Sequence, residues 1–165
     1  MERSLVRAVP YRALVGRLAR SEMQVGFTHC DPYGHMNTAA YLEAAINHRM
    51  TEVRQLIGLD VMQLKEQDGV IFIIRKVDLE FMEPALPGEW LHVESWLEEL
   101  KAGSMKVIVR FSRREGGKTC AVITFLSAAF NEKKGLLVKI PESYRPVAGV
   151  DPEAMPWAPG HPKPG

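Results

Sequence analysis

The sequence has few of the features that mark secreted, membrane-spanning or nucleic-acid-binding chains. Only two cysteines, Cys30 and Cys120, occur in 165 residues, so at most one disulfide can form, and this usage is typical of a reduced, cytoplasmic protein. The longest strongly apolar run, Val70–Ile74, is far too short to cross a bilayer. A formal net charge of +1 gives no reason to expect a nucleic acid or an anionic membrane as a partner.

The length and composition predict one globular domain between two atypical ends. Hydrophobic residues make up 46% of the chain and charged residues 25%, which is ordinary for a folded domain. The N-terminal stretch resembles an organelle transit peptide, because before Glu22 it has one acid, Glu2, and five arginines: Arg3, Arg7, Arg12, Arg17 and Arg20. Pro10 argues against a continuous helix there. Six of the eleven prolines lie in residues 146–165. We therefore predict a basic leader over 1–16, a domain over 17–145 and an irregular tail over 146–165.

One long helix is predicted immediately after the stretch HCDPYGHM. Asn37 or Thr38 is a suitable N-cap, and Gly58 is a suitable C-terminal stop. Apolar residues recur between them at steps of three and four, which indicates one buried helix face. These residues are Leu42, Ala45, Ile46, Met50, Val53, Leu56 and Ile57.

Alternation of apolar and polar residues predicts about five strands, one before the helix and four after it. The later strands are separated by turn dipeptides at Pro87-Gly88, Ala102-Gly103 and Gly116-Gly117, so successive strands should be antiparallel. Cys120–Phe130 is apolar on both faces and should lie inside the sheet. One helix cannot cover both faces of such a sheet, so the sheet should curl around it and a second subunit should cover the rest.

The turn before the helix combines groups that can do chemistry. Asp31 can act as a base or nucleophile, or it can only start an Asx turn before Pro32. The helix start near Asn37 and Thr38 offers free N–H groups and a partial positive charge, which suit an oxyanion as well as ordinary capping. Gly34 allows a sharp turn and a close approach of ligand to backbone.

Two other chemistries remain open for the same turn. His29, Cys30, Asp31 and His35 are metal-ligand types, but their spacing fits no common zinc motif. Cys30 and His35 can also be drawn as a nucleophile and its base, although a cysteine is more often a small buried side chain. His35 alone can position water, contact substrate or serve only the structure of the turn.

The stretch DPYGHMNTAAYLEAA resembles the signature of hot-dog-fold acyl-CoA thioesterases of the 4-hydroxybenzoyl-CoA thioesterase type. The positions that match are Asp31, Gly34, His35, Asn37, Tyr41 and Leu42. The stretches FIIRKVDLEFMEPALPGEWLHVES and FNEKKGLLVKIP are similar to later segments of that family. The likeness extends over roughly residues 20–145.

The resemblance implies an α+β hot-dog fold, in which a five- to six-stranded antiparallel sheet wraps around one long central helix. It also implies a homodimer or tetramer, with active sites at a subunit interface and coenzyme A present only as part of the substrate. Asp31 would be the catalytic carboxylate, and a backbone N–H near Thr38 would polarise the thioester carbonyl. Ile46 and Asn47 stand where many relatives have acidic residues, and Thr38 where many have a second asparagine.

The expected function is hydrolysis of an acyl-CoA to a free acid and coenzyme A. We expect Asp31, His35, Asn37 and Thr38 to form the catalytic site, with no metal and no resident cofactor. The substrate-binding candidates are Gly34, Tyr41, Ile71, Phe72, Arg75, Arg113 and Arg114. A thioesterase acting on acyl carrier protein and a non-catalytic acyl-binding module on the same fold are the alternatives.

Overall fold

The structure, a computed structural model, describes residues 6–161. The first residues of the predicted leader and the last four of the predicted tail lie outside this range. No helix within residues 6–161 has the length and apolar character needed to span a membrane. The helices and strands are α1 (Thr38–Thr51), α2 (Val61–Asp68), β1 (Val9–Pro10), β2 (Ala19–Gln24), β3 (Val70–Phe81), β4 (Trp90–Leu100), β5 (Ser104–Arg113), β6 (Thr119–Asn131), β7 (Leu136–Leu137) and β8 (Ser143–Tyr144).

The predicted fold class is confirmed. The main sheet is antiparallel, with strand order β2-β4-β5-β6-β3, and the short β7 adds to β6. The three predicted turn dipeptides lie between β3 and β4, between β4 and β5, and between β5 and β6. Register shifts at Ile74/Lys76, Leu97/Glu99 and Phe111/Ser112 bend the strands, as β-bulges do, so the sheet curls around α1.

Helix α1 begins at the predicted N-cap, and the helical path that continues it stops at the predicted glycine. The Asn37 side chain accepts a hydrogen bond from the Ala40 amide at 2.8 Å, which makes Asn37 the N-cap. The helical path continues through a π-helical turn at Glu52–Leu56. It stops at Gly58, whose φ of +64° suits glycine far better than any other residue.

The buried face of α1 differs from the predicted apolar stripe. Ile46 and Met50 are 47% and 50% exposed, although both were expected to lie against the sheet. Ala45 is buried as predicted, but Tyr41 and His48 share the face toward the sheet with it, and Glu52 follows one turn later. The stripe prediction was therefore wrong in part, because it ranked positions by apolarity and two polar residues occupy the buried face.

Both segments next to the predicted domain boundaries contact the core. Tyr11 and Leu14 are buried, and the Tyr11 amide donates to the Glu142 carbonyl at 3.1 Å. Beyond residue 146, the Arg17 guanidinium lies 3.7 Å from the centre of the Trp157 ring. The boundaries at 16 and 146 themselves stay predictions.

Candidate active site

The turn before α1 is a closed hairpin. Asp31 donates from its amide to the His35 carbonyl at 2.8 Å, and the Asn37 amide donates to the His29 carbonyl at 2.8 Å. At the tip, the Gly34 amide donates to the Asp31 carbonyl at 2.9 Å, and Gly34 has a φ of +78°. The hairpin thus places Asp31 on one arm and the start of α1 at the end of the other.

Backbone amides hold one oxygen of the Asp31 carboxylate. Oδ1 accepts from the Tyr33 amide at 2.9 Å and from the His35 amide at 3.1 Å. The half-buried side chain is therefore oriented without help from another side chain. Oδ2 accepts no hydrogen bond from residues 6–161, which leaves it available to a water or a substrate.

The first amides of α1 lie close to this carboxylate in the chain. Asn37 uses its side-chain oxygen to cap Ala40, so its predicted role is at least partly structural. The amides of Thr38 and Ala39 make no hydrogen bond within the described part of the chain, and both residues are exposed. Free N–H groups at a helix N-terminus are suitable donors to a developing oxyanion.

Two large aromatic side chains close to Asp31 in the sequence are exposed. Phe27 is 86% exposed and Tyr33 is 84% exposed, and they flank the carboxylate on either side in the sequence. The His35 imidazole is half-buried and makes no hydrogen bond to the described residues. Large exposed aromatic rings beside a reactive group are typical of a surface that another molecule covers.

An apolar cavity of about 230 Å³ lies between the C-terminal half of α1 and the inner face of the sheet. Phe72 and Ile74 of β3 line it, and the exposed side chains of Ile46 and Met50 lie at the same opening. Asp31 does not line it. Ile71, the neighbour of Phe72, lies on the opposite face of the strand, because side chains alternate.

Tyr41 belongs to the hydrophobic core. It is 1% exposed, and its ring packs edge-on against Phe81 and Phe111 at centroid distances of 5.7 and 5.1 Å. Burial, with the nearby Cys120 thiol as a smaller cause, raises the pKa of Tyr41. The tyrosine thus joins the start of α1 to the end of β3.

The three arginines among the substrate-binding candidates, which could pair with the phosphates of coenzyme A, lie in different surroundings. Arg113 already contacts Glu89 at 2.9 Å, Glu83 at 3.8 Å and the Pro84 carbonyl. Arg114 pairs with Glu22 at 3.3 Å and lies 4.9 Å from the centre of the Trp90 ring. Arg75 is exposed on β3 and forms no ion pair within residues 6–161. Arg75 is the least committed of the three charges.

A buried polar chain crosses the interface between α1 and the sheet. Ser21 Oγ lies 2.6 Å from His48 Nδ1, and His48 Nε2 lies 2.8 Å from Ser95 Oγ. Ser95 Oγ donates to Glu52 Oε2 at 2.6 Å, and Arg49 Nη1 donates to the same oxygen at 2.5 Å. Burial lowers the pKa of His48, against the opposing effect of Glu52.

No motif in the sequence identifies this polar chain. A histidine and a glutamate four residues apart on a helix are a weak signal, since they look like an exposed pair. Their partners Ser21 and Ser95 come from β2 and β4, 27 and 47 residues away from His48. Only the fold brings these groups together.

The metal-ligand types of the turn and the Cys30 thiol can be judged by what lies near them in the described residues. Across residues 6–161, no three histidine, cysteine, aspartate or glutamate side chains come close enough to hold a metal ion. The Cys30 thiol lies 3.5 Å from the Gly26 carbonyl, to which it donates, and it makes no hydrogen bond to His35. The geometry at Cys30 is that of a packed thiol.

Comparison with known proteins places this chain among thioesterases. Residues 25–147 match the family model described as the thioesterase-like superfamily. The long-chain acyl-CoA thioesterase FadM of Escherichia coli K12 is 23% identical over 122 residues, which cover 73% of this chain and 90% of FadM.

Solved structures share the fold at low sequence identity. A 1,4-dihydroxy-2-naphthoyl-CoA thioesterase from Synechocystis superposes with a TM-score of 0.66 at 14% identity, covering 75% of this chain and 90% of that one. The Staphylococcus aureus protein SAV2348, solved in complex with CoA, gives a TM-score of 0.65 at 13% identity, with coverage of 78% and 79%. These likenesses confirm the hot-dog fold.

Proposed function

Since the chain belongs to the thioesterase-like superfamily, we propose that it hydrolyses acyl-CoA thioesters to a free acid and coenzyme A, with Asp31 as the reacting carboxylate. The hairpin carries this proposal, because it fixes the Asp31 carboxylate on one arm and leads on the other arm into the free amides that open α1. The naming of FadM as a long-chain acyl-CoA thioesterase, and the CoA bound to SAV2348, support acyl-CoA as the substrate.

The proposed chemistry uses the free Oδ2 of Asp31 and the Thr38 amide. In the nucleophilic route, Oδ2 attacks the thioester carbon, the thiolate of coenzyme A leaves, and water hydrolyses the resulting anhydride. In the general-base route, Oδ2 takes a proton from water, which attacks the carbon directly. In both routes the carbonyl oxygen becomes negative, and the Thr38 N–H stabilises it.

Replacing Asp31 with asparagine tests the carboxylate. Asparagine keeps an Oδ1 that can accept from Tyr33 and His35, so the hairpin should persist while the charge is lost. With a panel of acyl-CoA substrates and detection of the released thiol, we expect kcat to fall on the order of 100-fold or more and KM to change little. Wild-type turnover in Asp31→Asn would refute the site. Turnover only with acyl carrier protein thioesters would refute the CoA assignment.

We further propose that two copies pair through β3. This strand is an edge of the sheet and is 12 residues long, and its exposed side chains include Ile74, Val77 and Phe81 at 55%, 43% and 54%. A long, apolar, unpaired edge strand favours pairing with a second strand. A two-fold pairing of identical strands is antiparallel, so the Phe81 end of one copy would lie beside the Val70 end of the other.

This pairing would bring Asp31 of one copy to the cavity of the other. Tyr41 packs on Phe81, so the start of α1 lies near the Phe81 end of β3. The cavity opens near Phe72 and Ile74, toward the Val70 end. We propose that the acyl group bound at one Asp31 enters the cavity of the other subunit.

A complementation experiment distinguishes this arrangement from one within a single subunit. Ser127 lines the cavity, and Ser127→Phe should fill it. Homodimers of Asp31→Asn and of Ser127→Phe should both lose activity. A differentially tagged heterodimer of the two should regain it, since one Asp31 and one open cavity would meet at one of the two sites. An inactive heterodimer would contradict the shared site.

A further inference from the structure

The polar chain ends in a second recess, on the flank of α1 that faces away from the apolar cavity. This polar cleft of about 280 Å³ lies between β2 and α1. Ser21 and His48 line it, together with Glu43 and Asn47 from the helix. Neither Asp31 nor Thr38 lines the cleft.

The hydrogen bonds of the polar chain have a single consistent direction. The Glu52 carboxylate is ion-paired with Arg49 and accepts the one hydroxyl hydrogen of Ser95. Ser95 Oγ must therefore accept from His48 Nε2, which puts the proton of the neutral imidazole on that nitrogen. Nδ1 is left as an acceptor, and its partner at 2.6 Å is the Ser21 hydroxyl.

A serine hydroxyl that donates to a neutral, oriented imidazole is an activated nucleophile. The imidazole in turn is fixed by a buried carboxylate, here through Ser95. Because burial lowers the pKa of His48, its ring is neutral near pH 7 and able to accept a proton. The chain thus has a nucleophile, a base and a group that orients the base, all ending at an open cleft.

We propose that Ser21 and His48 form a second hydrolytic site, distinct from Asp31, for small uncharged esters. Ser21 Oγ bonds to the acyl carbon while its proton passes to His48 Nδ1. The ester C–O bond breaks, and the leaving alcohol takes that proton. Water then attacks the acyl-serine, gives its proton to Nδ1, and releases the acid as Ser21 recovers its hydrogen.

The cleft itself indicates the class of substrate. Glu22 and Glu43 are exposed at its edge, so their charges oppose the phosphates of coenzyme A. Asn47 lines the same recess and carries side-chain N–H groups that can donate to an oxyanion.

An alkyl fluorophosphonate tests the nucleophile directly. The serine Oγ–P bond forms, the P–F bond breaks, and His48 takes the hydroxyl proton as fluoride leaves. Ser21 is the only serine between Arg20 and Arg49, so trypsin should yield one peptide, residues 21–49, that carries the label. We expect labelling of wild type and of Asp31→Asn, and none on this peptide in Ser21→Ala.

The base and its orienting groups are tested by the labelling rate. His48→Gln should slow labelling by roughly 100-fold, and Ser95→Ala should slow it less, with folding checked by circular dichroism. Ser143→Ala, at an exposed serine on β8, is the matched control and should label as wild type does. Absence of label on residues 21–49, or an unchanged rate in His48→Gln, would overturn the proposal.

Activity separates this site from the thioesterase site. The Asp31→Asn protein should still hydrolyse p-nitrophenyl acetate, and adding Ser21→Ala should abolish that residual activity. Hydrolysis of p-nitrophenyl acetate that survives in the double variant would also overturn the proposal. Acyl-CoA turnover should be unaffected by Ser21→Ala alone.

Discussion

The two ends of helix α1 hold their polar groups in opposite ways. At the start, backbone amides orient Asp31 on a surface open to solvent. At the C-terminal end, side chains from two strands orient His48 and Glu52, which are 6% and 4% exposed. A group held by its own hairpin can be replaced with little cost to the fold. A buried charge that depends on its partners cannot.

The largest contrast should be in stability when Glu52 is truncated. Glu52→Ala leaves Arg49 without its buried partner and removes the acceptor of Ser95, so the free energy of unfolding should fall by about 3–5 kcal/mol. Glu43→Ala removes an exposed glutamate from α1 and should change the free energy of unfolding by less than about 0.5 kcal/mol. Urea denaturation of both variants measures the difference. Equal losses of unfolding free energy in the two variants would show that the polar chain does not stabilise the fold.

A smaller effect is expected from the N-cap at the start of the helix. Asn37→Ala frees the Ala40 amide and should cost about 1 kcal/mol of stability. It should also lower acyl-CoA turnover, because the same turn of helix carries the proposed oxyanion donor. Asp60→Ala removes the cap of α2 at a similar cost and is the control, since it should leave turnover unchanged. Wild-type acyl-CoA turnover in Asn37→Ala would show that the Asn37 cap does not contribute to catalysis.

The smallest effect should appear in the pH dependence of stability. The folded pKa of His48 lies below its ordinary value of 6.5, so the unfolded chain binds a proton there first. The contribution of His48 to stability is complete above pH 6.5 and is lost as the pH falls below it. Denaturation midpoints from pH 8 to about 5 should show this slope, and His48→Gln should flatten it.

The pH window of His48 is separate from that of the buried carboxylates. Burial alone would raise the pKa of Glu94, but its ion pairs with Arg20 and Arg110 outweigh burial and hold the pKa below 4.5. Its contribution is therefore complete above pH 4.5 and is lost only at lower pH. A single transition near pH 4 with no earlier slope would contradict the role given to His48.

Local sequence predicted the parts of the molecule whose causes are local. The N-cap at Asn37, the stop at Gly58 and the turn dipeptides depend on residues a few positions apart, and the structure confirms them. The antiparallel direction of the strands is also confirmed, although β2 pairs with β4 and β3 with β6 across distant parts of the chain. The cavity and the polar chain escaped prediction, because each is built from side chains on separate strands and on α1. Ile46 and Met50 were misplaced for a related reason: apolarity does not say whether this copy of the chain or another surface covers a residue.

The sequence by itself determined the main strands, the long helix and a turn that carries Asp31 a few residues before the helix start, since short-range hydrogen bonds and periodic burial specify them, and its resemblance to a known family implied the hot-dog fold. Tertiary structure alone decided which side of α1 is buried, where the cavity lies, and that Ser21, His48, Ser95 and Glu52 form one hydrogen-bonded chain. Those outcomes depend on how the sheet curls around the helix, and that curvature is the sum of many contacts between residues far apart in the chain.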